Sequence, residues 1–218
     1  WNFANCMTQN TWTHFALTRT GTSLKVFKNG VMVDSTTDAD MTTVYGGGRP
    51  LYIGAMNQSN SSTSGYFTGY IDEVRISNIV RYEQDFTVAS AAFTADKDTK
   101  LLLHMDGSNG GTTFTDSSWT GAGGTGHTIT ANGNAKNERI SSNKPYAENQ
   151  IHIIGPKIGS SAIAFDGTGD YLSIPDSTDW DLGTDDFTIE FWANDIGGLY
   201  SNVIQMGAEG YGMSVGGE

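Results

Sequence analysis

WTHFALTRTGTSLKVFKNGVMVD, residues 12–34, sets the fold class of this chain. In its second half Leu24, Val26, Val31 and Val33 alternate with Lys25, Lys28 and Asp34, a period of two that places one face in a core and the other in water. Asn29-Gly30 stands between the two apolar runs. That pair tolerates the positive φ that a two-residue hairpin turn demands, so it reads as the tip of a β-hairpin. RPLYIGAM (49–56) and FTGYIDEVRIS (67–77) continue the series as further short strands bounded by Gly, Asn, Asp or Pro.

Composition agrees with an all-β chain. Of 218 residues 28 are Gly and only 4 are Pro, Ser and Thr are abundant, and no long window carries helical periodicity. The length suits one sandwich, since all-β domains of roughly 200–250 residues are ordinary single units. A net charge of −12 speaks against phosphate backbones and anionic lipid, which are held by clustered Lys and Arg, so nucleic acid is excluded as a partner. No apolar run is long enough to span a bilayer, so membrane insertion is not expected. Trp1 in place of an initiator Met reads as a portion of a longer protein. Cys6 is the single cysteine and reads as a space-filler rather than a redox group.

Further along, Val80 to Thr99 loses strand alternation and reads as a connector. LLLHMDG (101–107) restarts a strand. Ser108 to Thr128 reads as a long loop pinned by Phe114 and Trp119. More strands are expected at HTITANGNAK, SSAIAFDGTGDYLSI, DDFTIEFWAND, SNVIQMG and YGMSV.

FDGTGDYLSIPDSTDWDLGTDDFTIEFWA (165–193), WTHFALTRTGTSLKVFKNG (12–30), LYIGA (51–55) and GYIDEVRIS (69–77) together resemble the strands of a laminin-G-like, concanavalin-A-like lectin/glucanase domain. The connector IVRYEQDFT, with FTADKDTKLLLHMDG and FTDSS after it, resembles what frames such domains in phage and large repetitive surface proteins. The resemblance implies an antiparallel β-sandwich jelly roll. Its order is exchanged: residues 1–94 look like the C-terminal half of such a sandwich plus connector, and 95–218 like the N-terminal half. Half a sandwich leaves an apolar sheet face bare and long edges unpaired. The halves are therefore expected either to close as one permuted domain or to be complemented by other copies or neighbouring repeats, which head-to-tail would build filaments or rings.

Catalysis on this scaffold needs two carboxylates across a cleft. The E-x-D-x-x-E strand of the laminarinase-like relatives is absent, and Asp186 and Glu190 in DFTIE read as solvated-face or ladder positions. Histidines 14, 104, 127 and 152 are scattered, His14 and His104 within strand patterns, and no nucleophile elbow or phosphate loop occurs. The chain reads as a non-enzyme.

The resemblance implies a structural Ca²⁺, common in the family, with Asp72, Asp166 and Asp170 as the metal candidates and Asp106 behind them. The competing role for these acids is Asx capping of turns. Trp and Tyr rings in loops offer a sugar platform, and Trp119, Tyr66 and Tyr200 are the ligand-binding candidates, with Tyr45 a further loop ring. Trp12, Trp180 and Trp192 adjoin strands and read as buried. Asn57 and Asn60 fit the glycosylation sequon. The expected function is a lectin-like recognition or adhesion module on an extracellular or virion surface, binding glycan or a protein partner through loops. The alternative is a structural subunit of a phage appendage, capsid decoration or extracellular filament.

Overall fold

The computed structural model describes residues 2–4, 7–37, 49–57, 63–119, 126–139, 155–197, 201–206 and 212–216. Cys6, Tyr45, Asn60, His152 and Tyr200 lie outside these. Up to residue 77 the strands are β1 (Asn2–Ala4), β2 (Thr13–Thr20), β3 (Ser23–Lys28), β4 (Val31–Thr37), β5 (Leu51–Ile53), β6 (Met56–Asn57), β7 (Thr63–Ser64) and β8 (Thr68–Ser77). Beyond it come β9 (Thr99–Leu103), β10 (Thr130–Asn132), β11 (Lys136–Glu138), β12 (Ala162–Asp166), β13 (Tyr171–Ile174), β14 (Phe187–Asp195), β15 (Ser201–Met206) and β16 (Gly212–Gly216). A 3₁₀ turn, Thr178–Trp180, is capped by Ser177.

The architecture is an all-β sandwich. One sheet runs β1-β16-β15-β5-β13-β10, and the other β11-β12-β8-β14-β2-β3-β4. In the second, β9 continues the flank of β8 that β12 begins: β12 pairs with residues 68–71 and β9 with 74–77. Every described pairing is antiparallel except β1 with β16. Both sheets draw strands from either side of residue 94, and β14 lies between β8 and β2.

Inward residues of the two sheets meet in one core. Phe15, Leu17, Leu24 and Val26 from one layer face Leu51, Ile53, Leu172, Ile174 and Val203 from the other. Burying each such side chain contributes about 1.5–3 kcal/mol, which makes this interface the main source of stability. Trp180 and Trp192 are buried as expected. Trp12 is only partly covered, and its indole N–H donates to the Gly155 carbonyl at 2.9 Å.

The β3–β4 hairpin turns at Asn29 and Gly30, with φ of 51° and 80°, as the Asn-Gly pair implied. Gly30 meets a second demand, because its carbonyl accepts the Phe86 N–H at 2.8 Å and an added Cβ would collide with the Phe86 carbonyl.

Two local expectations fail. Val31 and Val33 do not enter the core: they are 54% and 47% exposed, and Met32 between them is 43% exposed. β4 is the outermost strand and the core stops at β3, so its alternation has no second layer to face. A bulge after Met32 also breaks its register. The Met32 N–H is taken by the Asp85 carboxylate at 2.8 Å and that of Ser35 by Asp34, which blunts the edge against strand pairing. The loop after β9 is pinned by Phe114 but not by Trp119, which is 59% exposed. Its second anchor is Asp116, buried and accepting backbone N–H groups from Leu102, Ser118 and His127.

Candidate functional site

The outer face of the eight-stranded sheet carries a layer of buried charge, and a bulge in β8 creates it. Glu190 is opposite Arg75 and Trp192 is opposite Asp72, so Glu73 and Val74 both face the single residue Phe191. Glu73 takes a positive φ of 49° at this point. Ile71, Val74 and Ile76 still reach the core, while Asp72, Glu73 and Arg75 all face outward and are buried nonetheless.

Their cover is the strand-free segment 79–97, which runs as a strap across the sheet. Tyr82 and Phe86 stack face to face at 3.5 Å, and the Arg75 guanidinium lies 4.3 Å over the Phe93 ring. At the border Arg81 grips Asp96 through two N–H groups at 3.0 and 2.8 Å, and its backbone N–H donates to Thr188 Oγ1. Lys25 Nζ donates to the Glu83 carbonyl at 2.8 Å.

Glu190, expected on a solvated face or as a ladder residue, is sealed under this strap. Arg75 Nε and Nη2 donate to its Oε1 at 2.8 and 2.6 Å, and the Tyr82 hydroxyl donates to Oε2 at 2.8 Å. His14 Nε2 stands 3.3 Å from Oε2, an ion-pair distance, with its ring set edgewise against Trp192 and Phe86. Burial pushes the Glu190 carboxyl up, but His14 and Arg75 together outweigh it and hold it below the ordinary value. Burial and the adjacent Glu190 drive the Tyr82 phenol upward. A carboxylate locked as an anion with no opening to solvent can act neither as acid nor as nucleophile. Asp186 precedes β14, is exposed, and accepts the Gly21 N–H at 2.9 Å. The two acids of DFTIE do not form a catalytic pair.

Glu73 accepts the Phe93 N–H at 2.8 Å and pairs with His104 Nδ1 at 2.7 Å, a contact that raises the imidazole pKa against the opposing pull of burial. Asp72 accepts the Ile158 N–H at 2.9 Å on Oδ2, and its Oδ1 has no hydrogen-bond partner among the described residues. Burial pushes this carboxyl up to about 8, with Glu73 and Asp106 adding to the effect and the Ile158 amide opposing it. Asp106 holds the same segment farther on, accepting from the Ser161 N–H at 3.2 Å.

Beside this layer, at the β11–β12 end, a groove of 440 Å³ opens. Register places Lys136 opposite Ala164 and Ala164 opposite Tyr70, so a methyl group forms a low floor between a phenol and an ammonium. Glu138, Asn134, Asp166 and Ile196 line the walls. One end is the turn DGTGD. There Asp170 Oδ2 accepts the Asp166 N–H at 2.9 Å, Asp170 Oδ1 accepts the Asn134 N–H, and Asp166 Oδ1 accepts the Thr168 N–H at 2.8 Å. Asn134 Nδ2 reaches Asp166 Oδ2 at 3.3 Å. Gly133, with φ of 67°, leaves room for the Asp170 carboxylate.

Of the metal candidates, Asp166 and Asp170 come together and Asp72 does not. Both oxygens of Asp170 serve backbone amides, which is the Asx-capping role. Among the described residues no group of three or more His, Cys, Asp or Glu is placed to hold an ion. Asp72 is thus not gathered with Asp166 and Asp170 at one point among the described residues. Of the ligand candidates, Trp119 is exposed in its loop and Tyr66 is half-buried with its hydroxyl 2.5 Å from Thr63 Oγ1, while Tyr200 lies outside the described residues. Sequence reasoning missed Tyr70, Asn134, Lys136 and Glu138. The usable signal was the alternation K-N-E after the Asn132-Gly133 turn, which turns Lys136 and Glu138 to one side.

Residues 2–87 match the Laminin_G_3 family model, that of the concanavalin A-like lectin/glucanases superfamily. No curated protein and no solved structure matches the chain. The match covers β1 to β8 and the first half of the strap, while β11, β12 and β14 lie beyond it.

Proposed function

We propose, from the concanavalin A-like character of residues 2–87, that the chain is a non-catalytic recognition or adhesion module that holds a glycan in the groove beside Tyr70. One contrast carries this reading: the groove is open and lined by an amide, an ammonium and carboxylates, whereas the internal carboxylate Glu190 is locked beneath the strap. Sugar hydroxyls are both donors and acceptors, and the low floor at Ala164, with Lys136, Glu138, Asn134 and Asp166 around it and the Tyr70 ring buried at 4% exposure beneath, admits a pyranose by its polar walls. Lectins and glucanases share the matched superfamily, and the sealing of Glu190 favours the former. In this reading 1–94 and 95–218 are the closing and opening portions of one sandwich in exchanged order, a reading supported by sheets that draw on both. An extracellular or surface setting accords with it. Among the described residues no helix is long and apolar enough to cross a membrane.

A glycan array run with and without chelator tests the proposal, with Ala164→Leu as the variant that raises the floor. Binding to one glycan class that Ala164→Leu abolishes is expected, and sensitivity to chelator would bring a cation into the site. An array blank for the folded protein, or binding indifferent to Ala164→Leu, overturns the groove as the site.

A further inference from the structure

The opposite side of the sandwich, the outer face of the six-stranded sheet, presents aromatic rings that the groove does not use. Leu51 and Ile53 of β5 point into the core, which turns Tyr52 outward. Likewise Leu172 and Ile174 of β13 point inward, which turns Tyr171 and Ser173 outward. Tyr52 lies opposite Ser173 on one side and Gln205 on the other, and Tyr171 lies opposite Asn132. The Tyr52 and Tyr171 rings sit diagonally, with centroids 5.0 Å apart and planes tilted by 49°.

Tyr66 joins them from the turn after β7. Its hydroxyl is tied to Thr63, and the turn is fastened to β15 by the Asn202 N–H on the Gly65 carbonyl at 2.8 Å. Burial raises the Tyr171 phenol pKa, and Tyr52 and Tyr66 add to the rise. Between the rings the Asn132 carboxamide donates to Ser173 Oγ at 3.0 Å. All three tyrosines are half-buried.

We propose that this face is a second carbohydrate site, a tyrosine platform formed by Tyr52, Tyr66 and Tyr171 that binds a neutral polysaccharide chain by stacking. Cross-strand aromatic pairing alone would stabilise the sheet, but it does not require three phenols grouped around an amide and a hydroxyl on a solvent-facing surface. Sugar rings present apolar C–H faces to such rings and hydroxyls to Asn132 and Ser173, while Gln205 beside Tyr52 is itself buried. Charge fixes the class of chain. Among the described residues no cation belongs to the cluster, and the protein carries −12, so sulfated or uronic-acid polymers are repelled and neutral ones are not. The site stands apart from the groove, and neither depends on the other.

Affinity electrophoresis decides it, in gels cast with mixed-linkage β-glucan, xylan, galactomannan or heparin. The protein is expected to be retarded by at least one neutral polymer and not by heparin. Tyr52→Ala and Tyr171→Ala should each weaken that retardation about tenfold, and the Phe variants at the same positions should keep most of it. Ser173→Arg adds bulk between the rings without removing core packing. It should abolish retardation while leaving the denaturation midpoint in place, which separates lost binding from lost folding. Ala164→Leu should leave retardation intact, so failure of the groove and failure of the platform are read separately. Free migration in all three neutral gels, preference for heparin, or wild-type retardation of folded Ser173→Arg overturns the platform.

Discussion

Arg75 and Glu190 are register partners across β8 and β14, and two guanidinium N–H groups converge on a single carboxylate oxygen at 2.8 and 2.6 Å. The pair is closed off from water by Tyr82 and Phe93 of the strap.

Removing one member strands the other charge in a site that solvent does not reach. Arg75→Ala is expected to destabilise the fold by about 3 kcal/mol, and Glu190→Ala by a similar amount. The double variant Arg75→Met with Glu190→Leu should lie much closer to wild type, because no unpaired ion remains. Urea denaturation of the set measures this, and strictly additive losses would show that the pair is not coupled.

Asp72 is an acid whose folded pKa stands near 8, above its unfolded value of 3.8. The folded state binds the extra proton between those values, so stability from this group is present below 3.8 and drains away as pH rises toward 8. Asp72→Asn keeps an acceptor for the Ile158 N–H and carries no charge. It should raise stability at pH 8 by about 2 kcal/mol and change little at pH 4. Denaturation midpoints at the two pH values test the sign.

His127 bridges two carboxylates, with Nδ1 2.8 Å from Asp116 and Nε2 3.2 Å from Asp179, and its ring lies 4.4 Å from Trp180. Both contacts want the imidazolium, and the hydrogen bond to Asp116 raises the pKa against burial. His104 is raised in the same way by Glu73. A raised histidine contributes fully below its unfolded pKa of about 6.5 and loses the contribution as pH climbs through the folded value. Stability should therefore fall by about 1 kcal/mol per histidine on the alkaline side of neutrality. His127→Gln should flatten that slope, and NMR titration should place both imidazoles above 6.5.

Gly30 serves the hairpin and the strap at once. Gly30→Ala meets both the positive φ and the Phe86 carbonyl, and is expected to cost about 2–3 kcal/mol. Limited proteolysis should cut within residues 79–97 before any other described segment, since this residue fastens the strap. Unchanged protease resistance would detach the turn from the strap.

Much of the fold could be read from local pattern. The Asn29-Gly30 hairpin, the strand of FTIEFW and the Asx turn at Asp166 and Asp170 depend on neighbours within a few residues. The buried charge layer could not. Alternation tells which face Glu190 occupies but not whether that face is wet, and the answer comes from Tyr82, 108 residues away. A period of two would set Asp72 and Glu73 on opposite faces, and only the bulge at Glu73, which the pattern does not announce, makes them companions. Val31 and Val33 show the converse, an alternating pattern on a strand with no layer to meet. Tyr52 and Tyr171 were readable as outward positions, but their meeting on one surface needed the register of β5 against β13.

The insertion of β14 between β2 and β8 also orders events in time. As the polypeptide leaves the ribosome, residues 13–77 emerge with the slot between them vacant, and it stays vacant until residue 195 has been synthesised. For that interval two strand flanks and an oily surface await a distant segment. Such non-local closure makes for slow maturation and for hazard from sticky nascent neighbours. The Asp34 and Asp85 plugs on β4 guard a rim that receives no partner strand among those described.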